Sequence, residues 1–208
     1  MIDFKLYLIT DRKQVADRYS LIASVRQALK GGAKAIQLRE KDLDTRELLK
    51  LAYKMRELTA RYDARLFIND RLDIALAAGA DGVHLTQNSI PADAVRKVIK
   101  EKLMIGVSTH SLKEAKEAEE AGADFITLGP IYRTPSKLKY GKPLGLDKLG
   151  EVSRKVRIPV FALGGIKSHR VKAAKKAGAY GAAMISEIFG AGNIERKAEE
   201  IIRIVKGI

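Results

Sequence analysis

A chain of 208 residues, 46% apolar and 31% charged, can bury one sizeable core and is too apolar for a disordered protein. It contains no cysteine, which excludes disulfides, thiolate nucleophiles and cysteine-held metals, and no apolar run approaches the roughly 18 residues of a membrane span. Its net charge of +14 suits anionic partners or a lysine-rich solvated surface, but only 6% of residues are aromatic and none interleaves with a basic segment, so nucleic acid is not expected.

The N-terminus, "MIDFKLYLITD", enters a strand pattern at once, without the basic region, apolar stretch and cleavage site of a signal peptide. A soluble cytoplasmic protein is the expectation, with no membrane partner. The first strand is "KLYLIT" (5–10) and a helix follows over 18–30. The second strand opens "GGAKAIQL" and spans 35–39, and a helix follows over 45–62. "RLFIN" (65–69) is the third strand, with a helix at 71–78. "AGADGVHL" carries the fourth strand at 81–85 and a helix at 91–100. "LMIGVS" (103–108) and a helix at 111–121 come next. "AGADFITL" gives a sixth strand at 124–129 and a helix at 146–155. "PVFALGG" (159–165) precedes a helix at 168–177. "AGAYGAAM" gives the eighth strand at 180–185, before a last helix at 193–206.

Four of these strands echo one another. "GGAK", "AGAD", "AGAD" and "AGAY" each put glycine after a helical stretch, where a left-handed cap turns the chain into a strand. Eight alternating strands and helices without a linker predict one α/β domain over 1–208, a small (β/α)8 TIM barrel. An open doubly wound sheet is the rival with the same alternation. The longest aperiodic stretch, "GPIYRTPSKLKYGKPLG" (129–145), reads as a functional loop or a disordered one.

Barrel chemistry gathers at the C-terminal ends of the strands. In "AIQLREKD" the period of two turns Ile36 and Leu38 outward and aims Gln37, Arg39 and Lys41 at the mouth. Arg39, Lys41 and Lys137 together suit a strongly anionic ligand, such as a phosphorylated small molecule. Asp70 reads either as a Mg2+ ligand beside a phosphate or as the N-cap of the helix after it. "LGGI" (163–166), before a helix near Ser168 and with Ser186 at the next strand end, suits a phosphate held on backbone amides, although two glycines at a turn need no ligand. His84 alternates with Val83 and Leu85 and reads as a hydrogen-bonded core histidine, while His169 should be exposed. His110 reads as a turn or capping residue, or as a general acid or base.

Together "LYLITD", "QLREK", "FINDRLDIAL", "ADGVHL", "GVSTHS", "ADFITLGPIY" and "ALGGI" resemble the thiamine-phosphate synthase family, in order from Leu6 to Ser186. The resemblance implies a (β/α)8 barrel that joins hydroxymethylpyrimidine diphosphate to a thiazole phosphate, releasing pyrophosphate. It implies Gln37, Leu38, Arg39, Glu40, Lys41, Asn69, Ser108 and Lys137 around the pyrimidine diphosphate. Thr134, Pro135, Ser136, Gly165, Ile185 and Ser186 fall at the thiazole phosphate, and Asp70 at Mg2+. Arg39, Lys41, Lys137 and Ser108 are the candidate catalytic groups. One departure stands out: after the fourth strand the family pattern Gly-Gln-Glu-Asp reads "TQNS" here, with Ser89 where a second metal-binding Asp is expected. The loop also carries Arg133 where Pro is usual, and Ser136 for Thr. Ser89 and His110 also resemble the sister TenI-type thiazole tautomerases, in which His110 would be the acid/base. The intact "QLREK" and "IND" favour the synthase. A non-catalytic phosphate-ligand binder or regulator is the reading from another class, and the sequence leaves a homo-oligomer open.

Overall fold

The computed structural model describes residues 2–15, 20–134 and 142–207. Eight parallel strands, β1 (Leu6–Ile9), β2 (Ala35–Leu38), β3 (Arg65–Asn69), β4 (Gly82–Leu85), β5 (Met104–Thr109), β6 (Phe125–Leu128), β7 (Val160–Leu163) and β8 (Gly181–Met184), stand in sequence order. β1 pairs with both β2 and β8, so the sheet closes and the open doubly wound alternative is excluded. Around it lie α1 (Leu21–Lys30), α2 (Thr45–Ala60), α3 (Leu72–Ala77), α4 (Ala92–Ile99), α5 (Leu112–Glu120), α6 (Gly145–Lys155), α7 (Ser168–Lys176), α8 (Ser186–Phe189) and α9 (Ile194–Lys206). Two short pieces had no periodic signal: α8, and a 3-10 turn at Arg12–Gln14. Neither is long enough to show a helical repeat. Among the described residues no helix is long and apolar enough to cross a membrane.

The four echoes perform one local task. Gly32, Gly79, Gly122 and Gly178 all have positive φ, and the alanine after each donates its N–H back into the helix just ended. Those bonds (Ala33 to Ala28, Ala80 to Ala75, Ala123 to Ala118, Ala179 to Ala174) satisfy carbonyls that the helix end leaves open. The next residue ties the base of the barrel. Asp81 accepts from the Leu66 N–H at 2.7 Å and pairs with Arg56, and Asp124 accepts from the Ile105 N–H at 2.6 Å and from Arg96 at 2.6 Å. Before β3 and β5, where no glycine echo occurs, Asp63 and Lys100 take the positive φ instead.

Strand side chains divide by parity. Leu8, Ile36, Leu38, Leu66, Ile68, Val83, Ile105, Ile126, Ala162 and Met184 face outward and share one core with the inner faces of the helices. Ile2, Phe4, Tyr7, Ile9, Ala35, Phe67, Phe125, Phe161 and Ala183 fill the barrel. Large and small residues alternate across the interior. A Cβ on Gly82 would stand 2.4 Å from Phe67, one on Gly106 2.5 Å from Phe125, and one on Gly181 2.5 Å from Phe161. Phe4 precedes β1 and closes the N-terminal end. Its ring centroid lies 5.3 to 5.7 Å from those of Tyr7, Phe67, Phe125 and Phe161. That aromatic plug makes the lower barrel a packed core and leaves the polar layer at the other end.

Candidate active site at the barrel mouth

Directly above the plug, side chains from five strands join in a buried polar chain. The Gln37 Nε2 donates to the Tyr7 hydroxyl at 3.1 Å, and that hydroxyl lies 3.2 Å from His84 Nδ1. His84 Nε2 lies 3.0 Å from the Ser108 Oγ, which Thr127 approaches from behind at 3.5 Å. Parallel pairing of His84 with Gly106 makes room for the ring, since a Cβ on Gly106 would lie 2.6 Å from Nδ1. Burial, and then the nearby Arg39 charge, lower the His84 pKa to about 3, so the ring is neutral. Burial likewise raises the Tyr7 phenol well above its ordinary value. His84 is thus the hydrogen-bonded interior histidine expected from its alternation.

The end of β2 is locked to the end of β1. The Thr10 hydroxyl accepts from the Arg39 N–H at 2.9 Å and donates to Glu40 at 2.6 Å, and the other Glu40 oxygen accepts from the Arg12 N–H at 3.1 Å. Burial raises the Glu40 pKa. Glu40 therefore turns its carboxylate into this lock rather than toward the mouth. Leu38 packs its side chain in the outer core, so only its backbone is open to a ligand. Arg12 and Lys13 both reach Asp42 at 3.1 Å. The half-buried Arg39 and exposed Lys41 make no side-chain hydrogen bond or ion pair with any described residue. A fixed backbone thus presents two cations that no described residue engages.

Asn69 and Asp70 end β3. Asp70 has φ 67°, a strained value for a residue with a side chain. Its N–H donates to the His84 carbonyl at 2.8 Å. The capping expectation is not met: α3 has Arg71 at its N-cap and no side-chain cap bond. Asp70 instead keeps an exposed carboxylate without a hydrogen bond or ion pair among the described residues. After β4, the Ser89 hydroxyl accepts from the Thr86 N–H at 2.7 Å and lies 3.1 Å from the Thr86 hydroxyl. Ser89 is therefore spent in holding its own loop. Among the described residues no group of three or more His, Cys, Asp or Glu could hold a metal.

At β5, His110 sits at the start of α5. Its N–H and Nδ1 both meet Glu114, at 2.9 and 3.1 Å, while the Ser111 hydroxyl accepts from the Glu114 N–H. Ser111 is thus the N-cap of α5, and His110 is the turn residue before it, held by Glu114. His169 is exposed, as expected. Gly164 and Gly165 have φ of 90° and 64°, and Cβ atoms there would meet Pro130 at 2.7 Å and Tyr132 at 2.8 Å. Close packing of the β6 loop on the β7 loop thus requires both glycines. The Ser168 N–H, at the start of α7, is already taken by Glu187 of α8 at 3.0 Å, and Lys167 pairs with the same carboxylate at 3.0 Å. The Ser168 N–H, the first of α7, is therefore not open to a phosphate. Ser186 is the exposed first residue of α8, after the half-buried Ile185. Thr134 is half-buried, and Pro135, Ser136 and Lys137 lie outside the described residues. Sequence reasoning missed Tyr7, Thr10, Thr127 and Glu187. Tyr7 and Thr10 lie in a segment whose alternation was visible, but their polar atoms acquire partners only across the barrel.

The model of the family described as thiamine monophosphate synthase matches residues 6–188. A thiamine-phosphate synthase of Clostridium novyi is 42% identical, over 98% of this chain and 99% of its own. A Geobacter sulfurreducens relative, to which the same name is given provisionally, is 51% identical over 98% of this chain and 95% of its own. The solved thiamine phosphate pyrophosphorylase of Pyrococcus furiosus superposes with a TM-score of 0.89 at 40% identity, covering 98% of this chain and 96% of that one.

Proposed function

The chain belongs to the thiamine monophosphate synthase family, and on that premise we propose that it is a thiamine-phosphate synthase, a transferase that alkylates the nitrogen of a thiazole phosphate with hydroxymethylpyrimidine diphosphate. The observation that carries the reading is the pair of cations, Arg39 and Lys41, that no described residue engages, on a backbone fixed by Thr10 and Glu40. In the reaction the methylene–oxygen bond breaks and pyrophosphate leaves with the electron pair. The pyrimidine-stabilised carbocation is then captured by the thiazole nitrogen lone pair. Cations fixed beside the leaving oxygens stabilise charge as it develops, without reorganising at the moment of reaction. Lys137 would add a third charge. Asn69 and Ser108, the latter backed by Gln37 through Tyr7 and His84, would orient the pyrimidine diphosphate, and Thr134, Ser136, Gly165, Ile185 and Ser186 would hold the thiazole phosphate.

The donor set fits Mg2+ that arrives with its substrate. Mg2+ commonly uses one or two carboxylates and completes its shell with phosphate oxygens and water, and Asp70 offers one exposed carboxylate that no described residue pairs with. Bound there, the ion would neutralise diphosphate charge. The strained φ of Asp70 supports such a role, because strain of this kind gathers at functional positions. The tautomerase reading has less behind it: the named relatives are synthases, and His110 is engaged with Glu114. The test is a coupling assay with pyrimidine diphosphate, thiazole phosphate and Mg2+, following pyrophosphate release. Turnover is expected. No pyrophosphate release, with isomerisation of thiazole carboxylate phosphate in a parallel reaction, would reverse the choice.

A further inference from the structure

The buried chain at the mouth has a direction, and that direction follows from counting protons. An amide nitrogen only donates, so at 3.1 Å from Gln37 Nε2 the Tyr7 oxygen is an acceptor. Tyr7 has a single O–H, and the polar atom facing it on the other side is His84 Nδ1 at 3.2 Å. Nδ1 must therefore be the accepting nitrogen. The neutral ring then carries its one proton on Nε2, which faces the Ser108 oxygen at 3.0 Å. Ser108 accepts that bond, and the Thr127 hydroxyl points at the same oxygen. Its own O–H is left unspent among the described residues. Each bond polarises the next in a water-poor interior, which strengthens the last donor.

We propose that Gln37, Tyr7 and His84 form a one-way hydrogen-bond relay that turns the Ser108 hydroxyl outward as a donor to the diphosphate of the substrate. This rests on the reading above that Ser108 lies against that substrate. Gln37, Tyr7 and His84 act through Ser108 and are positioning residues. Arg39 supplies the reason for choosing the diphosphate as acceptor. Arg39 lies two residues beyond Gln37 on the same face of the chain, its backbone is held by Thr10, and its guanidinium has no partner among the described residues, so an anionic group drawn to it enters the same mouth that Ser108 borders. The opposite polarity is chemically distinct. With the Gln37 amide turned over, Tyr7 would donate to Gln37, His84 would carry its proton on Nδ1, and Ser108 would spend its O–H on Nε2. The site would then offer the ligand a hydroxyl lone pair beside an anion, which repels it.

The chain has three histidines, so nitrogen-15 spectra of histidine-labelled protein can be assigned with a His84→Gln variant. A pyrrole-type Nε2 and a pyridine-type Nδ1 are expected for His84, and a protonated Nδ1 overturns the relay. Binding of inorganic pyrophosphate with Mg2+, measured by calorimetry, is the second readout. Ser108→Ala should weaken it about tenfold, as for a hydrogen bond to a charged group. Tyr7→Phe keeps the aromatic plug but removes the donor to Nδ1, and should weaken binding several-fold while the His84 proton becomes shared between its two nitrogens. Pyrophosphate bound by Tyr7→Phe as tightly as by the unaltered protein overturns the proposal. Neither readout requires turnover. A protein that passes both and yet fails to couple the two substrates would retain the relay and lose the synthase reading.

Discussion

Acid should unfold this protein through one buried imidazole, and the size of the effect follows from its surroundings. An exposed histidine titrates near about 6.5, whereas His84, wholly buried and close to Arg39, is lowered to about 3. Between those values the unfolded chain binds a proton that the folded protein refuses. Stability from this group is fully present above about pH 6.5 and is lost progressively as pH falls toward 3. The whole excursion corresponds to about 5 kcal/mol, and stopping near pH 4.5 to about 3 kcal/mol. Against a typical total of roughly 5–15 kcal/mol either is a large fraction. The control is His84→Gln, which has no charge to gain at any pH and can still donate toward Ser108. Urea unfolding at about pH 7 and about pH 4.5 gives the change for each protein, and carboxylates titrating in the same range contribute equally to both. The unaltered protein should lose about 3 kcal/mol more than the variant. Equal losses would refute the reasoning and mean that His84 accepts its proton without unfolding the barrel.

Arg39→Ala should lower kcat on the order of 100-fold, the usual cost of removing one donor aimed at developing charge; steady-state kinetics at saturating Mg2+ would show it, and an unchanged kcat would remove Arg39 from the mechanism. Ser89→Asp should lower the Mg2+ concentration needed for half-maximal turnover. The new carboxylate can still accept from the Thr86 N–H that Ser89 now holds, so the loop should survive; an identical metal titration would count against this position as a second ligand site. Gly106→Ala should cost about 1–3 kcal/mol by overpacking, because the added Cβ would stand 2.5 Å from Phe125 and 2.6 Å from His84 Nδ1. Thermal unfolding at the parent midpoint would contradict that account.

Much of the fold was legible because its signals are local. The repeated Gly-Ala pair declares where a helix ends and a strand begins, and in all four echoes the glycine has positive φ. The period of two placed Gln37 and Arg39 on the face opposite Ile36 and Leu38, and it put His84 inside the barrel. Parity and capping need only the chain's nearest neighbours, so one sequence suffices to read them.

The site's connections needed more. Glu40 occupies the parity of the outward face, yet beyond the strand end its carboxylate swings to Thr10 and Arg12, a bond across 30 residues of sequence. Asp70 reads as a plausible helix cap until the chain's turn at φ 67° removes its side chain from that task. The Ser168 N–H at the start of α7 reads as open from the sequence, but Glu187, 19 residues on, fills it. Tyr7 and His84, 77 residues apart, meet only because the sheet closes in one register and Gly106 leaves room between them. The sequence by itself determined which face each side chain takes and where each element ends, since those are properties of short runs of backbone. Which polar atoms meet inside the barrel was decided by closure and register, because hydrogen bonds depend on distances between strands that no single stretch of chain contains.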